Sequence, residues 1–391
     1  LARLIILRAL QLQLSFVSIE IAVDDTLAPK KGPHVFGLGT HVDAVRSTRK
    51  HRVFCFGHCW VTLAVLVRVP FSSRAWALPV LFRLYRTKKE CAQHGAVYRK
   101  KTELARELVA LFAGWMDGRR IELSADSGYC NATVMKHLPD NVVLFGAMRP
   151  DSVLTAPPPP RRDDQRGRTP VRGEVLPKPA QLARDERVPW QRCRAHLYGQ
   201  ATTVWFKTLC AQWYRAGGQR LLRIVVVKVT TGKVELRVFF STDTSLSPRE
   251  VLEKYSGRWS LEVAFRNLKQ LLGFADSSAR KEKAVERVAP FVGLVYTTLV
   301  VWAAEGAFRS PLAAPPTRPW YLHKKGLSFA DVLRTAQRAL LPIDVLDPAR
   351  SLDDLHLDRQ PSLDPVISAA FPLLRFSPGD TPRCSVDGIA S

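Results

Sequence analysis

The order of two periodicities along the first 150 residues constrains this chain most. Residues 17–24 (V-S-I-E-I-A-V-D) are short, β-branched and end in acids, the pattern of a buried strand, and a polar loop, T-L-A-P-K-K-G-P, follows. Residues 58–69 (H-C-W-V-T-L-A-V-L-V-R-V) read as a second strand stopped by Pro70, and residues 76–84 as a third, weakened by Pro79. The period then changes. Leu104, Leu108, Leu111, Phe112 and Trp115 form an amphipathic helical stripe that Gly118 can end. A strand at 120–125 ending on Asp126, a short helix at 131–138 and a strand at 141–148 complete the series. Three strands, helix, strand, helix, strand is the order of an α/β domain built on a mixed sheet.

After this first segment, residues 1–150, the pattern breaks. Residues 151–246 hold a Pro/Arg-rich stretch at 155–180, read as an extended, mobile loop, and then a β-rich insertion. Its last two strands flank the turn T-G-K, and it is expected as an inserted β-layer between the α/β unit and the helix that follows. Residues 247–340 open with Ser247, Pro248 and Glu250, a capping box with proline in the first turn. One helix is expected from there to Leu272, with Gly273 as its stop. The most apolar stretch, 288–304, contains Pro290 and falls short of a membrane span, so it reads as a buried core helix. Residues 341–391 are acidic and proline-punctuated, and are expected to pack loosely.

Charge narrows the partner. The chain of 391 residues carries 58 Lys plus Arg against 35 Asp plus Glu, a net charge of +23, and such a surface meets a polyanion, nucleic acid before membrane. The 7 cysteines are odd in number and scattered, which argues for a reducing compartment rather than a disulfide framework. Cys55, His58 and Cys59, with His51 nearby, suggest zinc only weakly. No second Cys/His pair stands at finger spacing, so they read as packed thiols.

The chemistry concentrates on the helix expected from Ser247. At 100° per residue, Tyr255, Arg258, Glu262 and Lys269 share a strip roughly 60° wide, beside the apolar stripe of Leu261, Phe265, Leu268 and Leu272. Arg258 and Glu262 can be an ordinary surface i,i+4 pair. A carboxylate among cations can also hold a divalent ion while its neighbours hold phosphates. Asp24 and Asp25 are expected at the end of the first strand and Asp126 at the end of the fourth, where open α/β sheets place their sites. Acids converging there can hold two Mg²⁺ ions about 4 Å apart, the arrangement that cleaves a phosphodiester.

Tyr255-x2-Arg258-x3-Glu262-x6-Lys269 matches the Y-(2)-R-(3)-E-(6)-K signature, and the surrounding S-T-D-T-S-L-S-P-R-E through L-L-G resembles insertion-sequence DDE transposases of the insertion-sequence-four-like group. A-V-D-D-T-L-A-P-K-K-G resembles their first-aspartate motif, in which the acid directly before Thr is the ligand, so Asp25 is favoured over Asp24. L-S-A-D-S-G-Y-C-N resembles the second and gives Asp126, and residues 319–333 look like the family's C-terminal region. The resemblance implies an RNase H-like core with a β-rich insertion before the glutamate helix. It implies Asp25, Asp126 and Glu262 as catalytic ligands of two Mg²⁺ ions, with Mn²⁺ able to substitute. It implies Tyr255, Arg258 and Lys269 as contacts to DNA phosphates, and Trp205 or Trp213 as a base-stacking aromatic unless each serves the β-layer. The implied partner is double-stranded DNA, transposon ends and target, bound by a homodimer in the nucleoid-associated cytoplasm of a bacterium, with no membrane. Only 24 residues precede Asp25, so a copy shortened at its N-terminus, with impaired recognition of transposon ends, is expected. The alternatives are a non-catalytic DNA-binding remnant and a structure-specific RNase H-like nuclease.

Overall fold

The structure is a computed structural model and describes residue 11 and residues 18–32, 34–43, 45–48, 50–161, 167–229, 235–314 and 326–340. The expected turn T-G-K and tail 341–391 lie outside these residues, as do residues 319–325 of the stretch 319–333. The chain divides into two compact units, the first running to Thr297 and taking in Gly326. In chain order this unit holds β1 (Ile19–Pro29), β2 (Gly39–Val42), β3 (Phe54–Arg68), β4 (Ala75–Tyr85), α1 (Lys88–Gln93), α2 (Lys101–Trp115), β5 (Ile121–Ala125), α3 (Ala132–Met135) and β6 (Val142–Met148). It continues with β7 (Leu154–Thr155), β8 (Val175–Leu176), α4 (Pro179–Arg184), β9 (Gln191–Leu197), β10 (Gln200–Gln212), α5 (Tyr214–Gly217), β11 (Leu221–Val229), β12 (Glu235–Ser241), α6 (Pro248–Ser256) and α7 (Trp259–Leu271). Helix α8 (Glu282–Glu305) begins in this unit and ends in the next.

The described strands make one mixed sheet in the order β2-β3-β1-β5-β6-β12-β11-β10-β7-β8, with β4 also on β3 and β9 also on β10. Strands β4, β3 and β1 are antiparallel neighbours, while β5 runs parallel to β1 and β6 parallel to β5. Strand β12 then joins β6 antiparallel. The inserted β-layer is therefore an edgewise continuation of the same sheet. Its inner face, Ala195, Val204, Phe206, Val225 and Val227, buries Val251 and Leu252 of α6, with Tyr255 packed alongside.

Three local expectations change. Strand β1 does not end at Asp24 but runs on through the presumed loop, because the long β3 pairs with it as far as Pro29↔Gly57. A Cβ on Gly57 would strike the Ala28 carbonyl oxygen, so this close approach requires glycine. The catalytic-region helix is two helices. The chain stays right-handed through Gly257 and Arg258 but tightens there, Arg258 N–H donating to Tyr255 O and Leu261 N–H to Arg258 O. The Pro/Arg-rich segment is anchored at both ends of its described part, by the β7–β8 pair and by α4.

Helix α8 contains the expected core stretch. By length and composition it could also cross a membrane, but more than half of its most apolar stretch is buried, Ala289, Tyr296 and Val300 included. The second unit, described by itself, holds two short 3-10 turns (Ala307–Arg309 and Pro311–Ala313) and α9 (Phe329–Leu340). Asp331 caps α9, accepting from the Ser328 N–H at 2.8 Å, and Phe329, Val332 and Ala336 form the buried face.

Candidate active site

Alternation along β1 and β5 builds the site. Side chains two residues apart share a face. In the parallel register Glu20 stands beside Glu122 and Ala22 beside Ser124, which leaves Asp24 and Asp126 as the next pair on that face. Helix α6 lies over this row. Lys254 Nζ reaches Glu20 at 2.8 Å and Glu122 at 2.5 Å, and the Ser124 hydroxyl donates to the Lys254 carbonyl oxygen at 3.1 Å. The tightened turn at Gly257–Arg258 then delivers Arg258. Its Nη1 donates to Asp24 Oδ2 and its Nη2 to Glu262 Oε1, each at 2.7 Å. One guanidinium thus bridges the first strand to the glutamate helix.

Asp25, the next residue, faces the opposite way. It receives Lys101 Nζ of α2 at 2.6 Å, the Tyr129 hydroxyl at 2.7 Å and the Cys59 thiol at 3.3 Å. The structure links Glu262 to Asp24 through Arg258 and sets Asp126 beside Asp24 in register, while Asp25 lies on the α2 side. The signal was in the sequence: of two adjacent strand residues, only the one in phase with Glu20 and Glu122 can share their face. Lys101 and Tyr129 escaped sequence reading because their role depends on that second face.

Electrostatics separate the two aspartates. Burial, helped by the Asp25 and Asp126 carboxylates, pushes Asp24 from an ordinary 3.8 up to about 7, and Arg258 only partly offsets this. Burial also opposes charge on Asp25, but Lys101, Tyr129 and Cys59 outweigh it and hold that carboxyl below its ordinary range. Arg258 stays firmly protonated despite burial, held by Asp24, Tyr255 and Glu262. In the metal-free protein, Asp24 binds a proton between pH 3.8 and about 7 that the unfolded chain has released. Stability attributable to Asp24 is therefore full below that window and is lost as pH rises through it, by on the order of 4 kcal/mol. Thermal melts across this range should show the slope in the wild type and a flatter profile in Asp24→Asn.

Tyr255 packs its ring on Phe239 at 4.7 Å, has the Arg258 guanidinium 5.9 Å from its centroid, and is pushed up to about 12 by burial. Lys269 stands about 10 Å further along the helix axis than Glu262. Burial pulls it below its ordinary value, with Asp43 opposing and the Cys55 and Cys59 thiols nearby. Trp205 lies between Val204 and Phe206, which face α6, so its own side chain faces away from the catalytic helices. Trp213 packs edge-on against Phe240, whose neighbour Phe239 is the one that meets Tyr255. Neither tryptophan joins the site. Two other aromatics stand beside it: Trp259, next to Arg258, meets Tyr198 of the β9–β10 turn edge-on at 6.2 Å, and both are about half exposed.

The donor set suits a hard divalent cation, being carboxylate oxygen throughout. The Asp126 carboxylate makes no hydrogen bond or ion pair among the described residues, although its backbone carbonyl accepts from Tyr129 N–H at 2.9 Å, and Arg258 Nε is buried without an acceptor. No three His, Cys, Asp or Glu side chains among the described residues form a ready metal cage. At this site the guanidinium of Arg258 occupies the place between Asp24 and Glu262. The carboxylates fit metal ions if Arg258 gives way.

Comparison with known families decides the kinship. The model of the DDE superfamily endonuclease family matches residues 2–203, just over half of the chain. The chain belongs to the DDE superfamily endonucleases. Residues 216–306 match a second model, that of an archaeal transposase family, ISC1217. The endonuclease match contains Asp24, Asp25 and Asp126, and the transposase match contains Tyr255 through Lys269. No curated protein matches the chain. DDE-type nucleases typically use divalent metals, and the transposase match points to DNA as substrate.

Proposed function

We propose that this DDE endonuclease is a transposase of the insertion-sequence-four-like group that cuts and joins DNA strands at the ends of its element. The Arg258 bridge from Asp24 to Glu262, with Asp126 next to Asp24 in register, supports this reading. The strand order β4-β3-β1-β5-β6, antiparallel then parallel, supports an RNase H-like core. Asp24, Asp126 and Glu262 hold the divalent ions. Asp24 takes the place that the motif had favoured for Asp25, because Asp25 is spent on Lys101. Bound there, two Mg²⁺ ions, or Mn²⁺ in their place, would supply Lewis-acid activation of a hydroxyl and stabilisation of the leaving oxygen.

The chain's own residues do the rest. Arg258 turns from the carboxylates to a phosphate oxygen, where its planar fork suits bidentate contact. Tyr255 donates its phenolic proton to the same backbone, its burial keeping it un-ionised. Lys269 holds a second phosphate. Tyr198 and Trp259 supply the aromatic edge against which an unpaired base can stack, the role first expected of Trp205 or Trp213. The protein works as a homodimer on double-stranded DNA in the nucleoid-associated cytoplasm.

The test is strand cleavage of DNA carrying the element's ends, with Mg²⁺ supplied. Glu262→Gln should cut at least about a thousandfold more slowly than the wild type, the loss of several kcal/mol of charge stabilisation. Cleavage that survives this substitution sinks the assignment.

A further inference from the structure

The β2–β3 hairpin has a feature that the catalytic reading leaves unused. Register pairs Val42 with Phe54 and Thr40 with Phe56, so both phenylalanines and the valine share one face. The other face turns inward, with His41 buried and bonded to Gly57 O at 3.2 Å. The outer face is bare: Phe54 is 62% exposed, Phe56 47%, Val42 46%, and Val45 at the turn 96%. Neither phenylalanine makes a ring contact among the described residues. Contiguous large apolar side chains in water mark a contact surface.

Charge says what kind. The segment 39–56 carries Arg46, Arg49, Lys50 and Arg52 against one acid, Asp43. Lys50 and Arg52 are exposed and form no ion pair among the described residues. Asp43 is occupied with the turn, accepting from Val45 N–H at 3.0 Å and Arg46 N–H at 3.1 Å, and Ser47 Oγ accepts from Val53 N–H at 3.0 Å. The apolar edge is thus carried on a preordered, cationic turn. Along β3 both phenylalanines are in phase with Thr62, the register partner of Asp24, so their face continues the one that carries the site.

We propose that this hairpin is a wedge that inserts Phe54 and Phe56 between base pairs of the DNA duplex held at the catalytic face, while Lys50 and Arg52 grip the flanking phosphates. The inference rests on the reading of DNA as substrate. Apolar side chains flanked by cations unstack base steps and kink the duplex, and the wider contact repays the unstacking. An anionic membrane would match the same composition, but continuity with the strand face of Asp24 favours DNA.

The experiment uses the full chain in EDTA, so that no cleavage occurs, and a duplex oligonucleotide containing 2-aminopurine. Wild-type protein should raise the 2-aminopurine fluorescence several-fold on binding. Phe54→Ala with Phe56→Ala should abolish the rise while binding, followed by anisotropy, weakens less than about tenfold. Phe54→Leu with Phe56→Leu should keep part of the rise, and thermal melts of both should match the wild type because the side chains are exposed. Lys50→Ala with Arg52→Ala should instead weaken binding and reduce the salt slope by about 2. An equal rise with the alanine pair overturns the wedge, as does wild-type binding without any rise. Loss of binding to phosphatidylglycerol vesicles in the alanine pair, with the DNA signal unchanged, assigns the face to membrane instead. Wild-type protein that binds no DNA at all refutes the substrate reading and the wedge with it. Failure of cleavage alone, with the fluorescence rise intact, refutes only the catalytic assignment.

Discussion

Asp24→Asn should lower metal-dependent strand cleavage about a thousandfold, while the neighbouring Asp25→Asn leaves a measurable rate in a less stable protein. The two carboxylates are adjacent in sequence and opposite in role. Asp24 shares its face with Asp126 and reaches Glu262 through Arg258. Asp25 holds Lys101, Tyr129 and Cys59 on the reverse side. Removing its charge strands the Lys101 ammonium in a partly buried place, at a cost of roughly 2 kcal/mol, less than the full penalty of a deeply buried pair. Cleavage kinetics and denaturant melts, run on both variants, separate the two effects. Equal loss of cleavage with equal stability would mean that the two faces are not distinguished as described here.

Arg258→Gln carries the second large effect, and it has two parts. In the metal-free protein the guanidinium neutralises Asp24 and Glu262 at 2.7 Å each, with its own side chain only 12% exposed. Losing it leaves two carboxylates without their shared cation, so metal-free stability should fall by roughly 2–4 kcal/mol. Adding Mg²⁺ should recover much of that loss, because a cation restores the balance that Arg258 supplied. Cleavage should still fall about a hundredfold or more, since the phosphate contact is missing in the transition state. Melts with and without Mg²⁺, together with cleavage rates, test this. A variant as stable as the wild type without metal would show that the bridge contributes nothing.

Much of this was written in the residue pattern, and the exceptions have physical causes. The strands at 58–69, 76–84, 120–125 and 141–148 and the helix ending at Trp115 were legible because each is long or strongly periodic. The four-residue β2, with G-T-H-V, carries no such signal, and only its pairing with β3 defines it. The continuation of β1 through T-L-A-P was hidden because a proline at a strand end resembles a loop, while the partner strand that holds it lies some thirty residues further on. That one error placed both aspartates at a strand end, where their faces cannot be told apart. Spacing alone gave Arg258 and Glu262 as neighbours. It could not show that Arg258 also reaches Asp24, a contact across 234 residues. The insertion was recognised as β-rich, but whether its strands stack on a sheet or extend one depends on the β6–β12 edge, which no local pattern encodes.

The central claim is that Asp24, Asp126 and Glu262 form the metal site, and Mn²⁺ binding tests it most directly. Calorimetric titration or electron paramagnetic resonance of the protein on non-cleavable DNA should show Mn²⁺ bound by the wild type and by Asp25→Asn. Binding should be lost or weakened at least about tenfold in Asp24→Asn, Asp126→Asn and Glu262→Gln. Binding that is indifferent to Asp24 and Glu262, and lost instead with Asp25, would contradict the account.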